Sequence, residues 1–259
     1  MRIENTSSPT SFFTLVFVLT VPFWVLGDLF ALELMPGLPL ASLMVVTPTL
    51  AALYIRWQGT GPEDARNLLA RAVDVGRLRS GGIVVLLLLT NPLIYVASYG
   101  IQAGLIEQLP VPDLALDQLF SLFAIFLIAA VLEELGWTGH ATELLRARWN
   151  TVQAGLILGM VCTLWHLVPL IQVGRSAEWI LWWATGTVAT RILIVWFYEQ
   201  SGRSVFIMSV FHALSNTCWQ LYPVQGSHYD PQLNAAITVL FLLVIVRPWR
   251  TLGERDRSP

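Results

Sequence analysis

An all-α, polytopic membrane bundle of about eight transmembrane helices is what three features of this chain predict. Hydrophobic residues make up 55% of its 259 residues and charged residues only 12%, whereas soluble domains carry about 25% charged residues. The mean hydropathy is +0.64. The apolar residues also gather into runs that approach the ~20 residues a spanning helix needs.

The runs lie near residues 11–32, 38–57, 81–104, 117–147, 151–171, 178–199, 203–222 and 232–248. The first, Ser11 to Leu32, exceeds the ~7–15 apolar residues of a signal-peptide core, so it reads as a retained span. Between the second and third runs, PEDARNLLARAVDVGRLR has apolar residues at helical spacing and predicts a helix lying in the membrane interface. The fourth run is long because its amphipathic end, ATELLRARW, continues the helix out of the membrane. The last run is the shortest. No internal repeat or soluble domain interrupts this pattern, and residues 1–259 are read as a single transmembrane domain.

Arginine supplies every basic side chain. Arg56, Arg66, Arg71, Arg77 and Arg79 fall between runs two and three, Arg146 and Arg148 between four and five, and Arg203 between six and seven. Arg247, Arg250, Arg255 and Arg257 follow run eight. The alternate loops hold Glu33, Glu107, Asp113, Asp117 and Asp230, with Arg175 as the exception. By the positive-inside rule the arginine-rich loops, and both termini, face the cytoplasm. The expected location is a multi-pass position in the membrane, the cell (inner) membrane if the source is bacterial. The net charge of −2 argues against a nucleic-acid partner, because binding phosphates needs a basic surface. Cys162 and Cys218 sit inside apolar runs and read as small buried hydrophobes.

Ionisable residues at membrane depth are costly and mark function. Asp28, Glu133, Glu134, His166, Arg191 and His212 are the main ones, with Asn216 as a buried amide. His212 and Asn216 are four apart and share one helix face. On its own the pair reads equally as glue between helices, and a lone His166 reads as a packing residue. Depth adds information. If runs four and five form a hairpin centred near Trp149 and Asn150, Glu133 and His166 both lie roughly 20–25 Å from its tip, at 1.5 Å per residue. Glu134 is level with Trp165, and His212 lies roughly 15 Å along run seven by the same rise. A carboxylate and two histidines can thus meet in one layer.

These residues resemble the motifs of the CAAX-protease and bacteriocin-processing family of intramembrane proteases. Its first motif, E-E-x-x-x-R, corresponds to EELGWT; its second, F-x-x-x-H, to CTLWH; its third, H-x-x-x-N, is complete in HALSN. The resemblance covers the core from about residue 117 to 222. Cys162 replaces the phenylalanine of the second motif, which alters packing. Thr138 replaces the arginine of the first, which would pair with Glu134 one helical turn away. Arg191, deep in WWATGTVATRILIVWF, is the candidate substitute, and a guanidinium can bind a carboxylate in bidentate fashion. Asp28 is the competing partner for Arg191, or else lines the cavity.

The resemblance implies peptide-bond hydrolysis in a polar cavity of the membrane. Glu133 and His166 would activate a water, and His212 and Asn216 would donate to the oxyanion. Glu134, Arg191 and Thr138 would support the site. The implied substrate is a peptide or protein, membrane-embedded or lipidated, and the implied surroundings are membrane lipid. No cofactor is favoured; the alternative is Zn2+ on Glu133, His166 and His212, a ligand set that suits a catalytic zinc. The other function classes are a non-catalytic bacteriocin-immunity or scaffolding protein, and a small transporter. The remaining polar residues have plainer readings. His140 and Glu143 are expected to meet interfacial water and His228 to be solvated. Trp179, Trp182 and Trp183 fit an aromatic interface belt.

Overall fold

The computed structural model describes residues 8–112 and 115–246, and the chain it shows is almost wholly helical. α1 (Pro9–Phe30) starts on the Ser8 side chain, which accepts from the Ser11 amide, and stops at Ala31 in the left-handed region. A hairpin follows, β1 (Glu33–Met35) against β2 (Leu38–Pro39), turning at Gly37 with φ +76°. A 3-10 stretch (Leu40–Val46) runs directly into α2 (Thr47–Thr60), and α3 (Pro62–Ala70) is the short helix expected at the interface. The remaining helices are α4 (Gly81–Leu105), α5 (Leu116–Arg146), α6 (Thr151–Gln172), α7 (Ala177–Ser201), α8 (Val205–Leu221) and α9 (Pro231–Val246). Within α5 the turn Trp137–Thr142 widens to a π-helix.

This is an integral, multi-pass helical bundle. Six stretches among the described residues are long and apolar enough to span, counting Leu40–Thr60 as one. The seventh and eighth, α8 and α9, have 17 and 16 residues. The first run ends at Phe30 rather than residue 32, and residues 38–46 are hairpin and 3-10 helix rather than the start of an α-helix. Residues 247–248 of the last run, Asp113, and Arg247, Arg250, Arg255 and Arg257 lie outside the described residues.

Lipid tails give helices no hydrophobic reason to associate, so close backbone packing must do it. Gly155 and Gly159 of α6, in GLILG, face α7: a Cβ added at Gly155 would lie 2.5 Å from Ile192 Cα, and one at Gly159 2.8 Å from Val188 Cα. Gly155→Val therefore forces α7 away next to Arg191. A loss of about 1–3 kcal/mol is expected, readable as a lower thermal midpoint in detergent. A matching approach joins α2 to α5, where a Cβ at Gly136 would lie 2.4 Å from the Pro48 carbonyl carbon. The Thr49 hydroxyl donates to the Leu132 carbonyl beside it. Trp165 Nε1 donates to Thr20 Oγ1 at 2.8 Å, and Thr20 in turn bonds Thr47 at 2.9 Å, tying α1, α2 and α6 together.

The start of α8 is held from the interfacial segment. Asp74 accepts from the amides of Val205 at 3.2 Å and Phe206 at 3.0 Å, and from the Ser204 hydroxyl at 2.7 Å. A carboxylate there satisfies orphan N–H groups and complements the helix dipole. Asp74→Ala should cost about 1–3 kcal/mol, detectable as earlier amide exchange at the start of α8. On the same face, Arg71 Nη2 donates to Tyr198 Oη at 2.6 Å, and Arg203 lies 3.4 Å from Glu143.

Two expectations are corrected here. His140 is not at interfacial water but buried, accepting from Arg56 Nε at 3.2 Å and packed on Phe12 at 5.0 Å between ring centres. Glu143 is half-buried and accepts from Tyr198 Oη. The reason is that α2 and α3 cover this end of α5: Leu68 of α3 packs directly on Gly139.

Candidate active site

Adjacent residues on a helix point about 100° apart, so Glu133 and Glu134 meet different neighbours. Glu134 is fully buried. Its Oε1 accepts from Arg191 Nη1 at 2.6 Å and from His212 Nδ1 at 2.8 Å, while its Oε2 accepts from the Thr138 hydroxyl one turn along α5. A buried carboxylate is tolerable only with charge compensation and hydrogen bonds to its lone pairs. Here the two requirements are divided: α7 supplies the charge through Arg191, and position 138 supplies a hydroxyl.

Arg191 also faces the other carboxylate, with Nη2 3.8 Å from Glu133 Oε2. Glu133 is 4% exposed, and its Oε2 is buried with no hydrogen-bond partner among the described residues. The Glu133 carboxylate thereby keeps acceptor capacity that no described residue uses.

Both histidines are oriented through Nδ1. His166 Nδ1 lies 2.8 Å from the Cys162 carbonyl oxygen, which only accepts, so the hydrogen is on Nδ1 and Nε2 carries the lone pair in the neutral ring. Because the anchor is main chain, cysteine in place of the motif phenylalanine leaves it intact. His212 Nδ1 faces the Glu134 carboxylate in the same way. Asn216 lies one turn beyond His212.

Glu133, His166, Arg191, His212 and Asn216 line one cavity of about 340 Å³ between α5, α6, α7 and α8. Its walls are largely apolar, with Phe126, Trp183 and Trp219 among them, and the β1–β2 hairpin contributes Leu34, Gly37 and Leu38. Trp183 packs against the His166 ring with centroids 5.3 Å apart and planes tilted by 60°, and Arg175 lies over Trp179 at 4.6 Å. Trp179 and Trp183 are therefore cavity walls, which a belt reading of their position overlooks. Asp28 is exposed on α1 and neither lines this cavity nor pairs with Arg191. His228 is half-buried, bonded to Ser227 Oγ at 3.1 Å. No three His, Cys, Asp or Glu side chains among the described residues gather closely enough to share a metal ion.

The hairpin over the cavity escaped the sequence reading, although the Pro36–Gly37 pair is a turn signal. So did the Asp74 cap, which joins residues 130 apart in sequence and leaves no local sign.

A membrane bundle with two neighbouring carboxylates, two anchored histidines and an amide around an internal cavity defines a class of polytopic protein with a buried polar site. Residues 115–218 match the family described as type II CAAX prenyl endopeptidase, Rce1-like. The matched stretch holds all three motifs. A curated relative, CAAX prenyl protease 2 of Methanococcus maripaludis, is 29% identical over 109 residues, 39% of this chain and 40% of the relative. The chain thus spans about two-fifths of the length of that relative. Over that stretch the chain is similar to CAAX prenyl endopeptidases, in keeping with the motifs in its sequence.

Proposed function

We propose that the chain is an intramembrane endopeptidase in which Glu133 and His166 activate a water and His212 and Asn216 stabilise the oxyanion. The observation that carries this reading is the Glu133 carboxylate, which accepts no hydrogen bond from the described residues, in a cavity that also receives His166, His212 and Asn216. A water in the cavity can donate one hydrogen to the Glu133 carboxylate and another to the lone pair of His166 Nε2. As its oxygen attacks the peptide carbonyl, Glu133 takes the proton. The carbonyl oxygen becomes an oxyanion facing Asn216 and His212. Since His212 Nδ1–H is committed to Glu134, donation from Nε2 requires the doubly protonated ring, with Glu134 as its counter-ion. Collapse of the tetrahedral intermediate breaks the C–N bond, and the proton on Glu133 passes to the leaving amine. Glu134, Arg191 and Thr138 act through these groups as positioning residues.

The substrate class proposed is a peptide segment at membrane depth, and a lipidated CAAX-type peptide is the first probe because the curated relative is named a CAAX prenyl protease. The chemistry proposed uses no metal. Purified protein treated with a strong chelator should keep its cleavage rate and contain no stoichiometric zinc; loss of activity on chelation, restored by zinc, would overturn this part. Substrate trapping with Glu133→Gln, followed by mass spectrometry against wild type, tests the function itself. Retention of uncleaved chains that wild type releases as fragments is expected, and identical captured sets without fragments would favour the scaffolding alternative.

A further inference from the structure

We infer that Arg175 is a specificity-determining residue that receives a carboxylate of the bound peptide, about two to four residues from the bond that is cut. The reference to a cut bond rests on the endopeptidase reading, whereas the anion site is a property of the cavity itself.

Among the described residues, the charged side chains on the cavity wall, histidines aside, are Glu133, Arg191 and Arg175. Arg191 is committed to Glu134 at 2.6 Å and faces Glu133 at 3.8 Å. Arg175 has no such commitment. It sits half-buried in the turn after α6, where its amide donates to the Leu170 carbonyl at 3.0 Å. Its guanidinium lies over the Trp179 ring and against the hairpin turn, where a Cβ added at Gly37 would lie 3.4 Å from Nη2. Among the described residues no hydrogen bond or ion pair reaches that guanidinium. Glu33 acts on it from beyond ion-pair distance, and is itself exposed and accepting from the Gly37 amide at 2.9 Å. Burial lowers the Arg175 pKa, and Glu33 offsets only part of that. A guanidinium fixed by stacking, with its N–H fork unused, is preorganised for a planar anion.

Distance from the reacting groups places the anion on the peptide. Arg175 follows His166 on α6, which continues to Gln172, a rise of about 9 Å. The turn beyond adds little, because the Arg175 amide folds back to Leu170. An extended peptide covers ~3.3 Å per residue, so with the reach of the side chain the separation is about two to four residues. The wall between is apolar, with Pro169, Leu170 and Trp183, and a charge pair gains strength where little water competes. Asn234 of α9 adds a second, independent sign of a ligand. It is 6% exposed on the same wall, and its Nδ2 is buried with no partner among the described residues. Two donors on the wall thus lack acceptors, which a peptide bearing a carboxylate would bring. Because Arg175 lines the cavity that holds His166, a peptide is favoured over a phospholipid headgroup as the source of the anion.

The test crosses a change in the protein with a change in the peptide. Binding is measured on Glu133→Gln and on Glu133→Gln/Arg175→Gln, with a lipidated CAAX-type peptide as its free C-terminal acid and as its C-terminal amide. The acid should bind the first protein about ten- to a hundredfold more tightly than the amide, the range of a charge-assisted hydrogen bond. Arg175→Gln should abolish that difference and leave the affinity for the amide little changed. Arg175→Lys should keep part of the preference, since it retains the charge without the planar fork. A third peptide, the amide with aspartate as its last residue, identifies the source of the carboxylate: tight binding regained means that a side chain serves, and weak binding means the chain terminus. Equal weakening of acid and amide by Arg175→Gln, as loss of a structural stack or of a lipid headgroup would give, overturns the proposal. So does an acid preference that survives Arg175→Gln, or failure of both peptides to bind a protein whose thermal midpoint is intact. The readout needs no cleavage. A protein that prefers the acid through Arg175 yet never cuts it would keep this proposal and refute the endopeptidase reading.

Discussion

Glu133→Gln is expected to lower peptide cleavage by roughly 10²–10⁴-fold, the range lost when a positioned general base is removed, while the protein stays folded in the membrane. Glutamine keeps the shape of the side chain, and the charge lost is on a carboxylate that accepts no hydrogen bond from the described residues. Folding should tolerate this, because Arg191 keeps its closer contact with Glu134 at 2.6 Å and loses only the 3.8 Å approach to Glu133. His166→Ala and His212→Ala should fail in the same assay for different reasons: the first removes the second hold on the water, the second an oxyanion donor. Product formation measured beside the thermal midpoint separates a chemical defect from unfolding. Unchanged cleavage by Glu133→Gln would remove the carboxylate from the mechanism.

Arg191→Leu should be the most destabilising single change in the site. It leaves Glu134 fully buried without its guanidinium partner and also removes the positive charge beside Glu133. Breaking one side of a buried ion pair costs about 3–5 kcal/mol, mostly because the surviving charge is stranded. The diagnostic is a double-mutant cycle. Glu134→Gln alone strands the guanidinium, although Glu133 remains near it, so its cost should be smaller. The combined variant should recover much of the loss, giving a coupling energy of about 1–3 kcal/mol. Simple additivity of the two changes would mean that the pair does not bind α5 to α7.

The helices were legible in the sequence because hydrocarbon demands long apolar runs, and that demand leaves little freedom. The pairing of Arg191 with Glu134 was legible for a related reason. A deep arginine needs a carboxylate, and threonine at position 138 leaves Glu134 wanting a cation. What stayed hidden depends on three-dimensional cover. His140 sits on a segment that is amphipathic in isolation, and only the arrival of α2 and α3 over Gly139 buries it. The β1–β2 hairpin lies within an apolar stretch, where hydropathy averages away a turn of two residues. Asp28 was weighed as a buried group because the first run is uniformly apolar, yet it lies near the end of α1 on an exposed face. Trp179 and Trp183 carry the composition of an interface belt, and only the cavity shape shows that they wall the site.

Hydrolysis in water enriched in 18O, with the purified protein in bilayers and a lipidated CAAX-type peptide, tests the central claim most directly. Wild-type protein should produce two fragments, the N-terminal one carrying a single 18O in its new carboxyl group, and Glu133→Gln should produce neither above background. Equal label incorporation by wild type and Glu133→Gln would contradict the assignment of Glu133 as the base that activates the water.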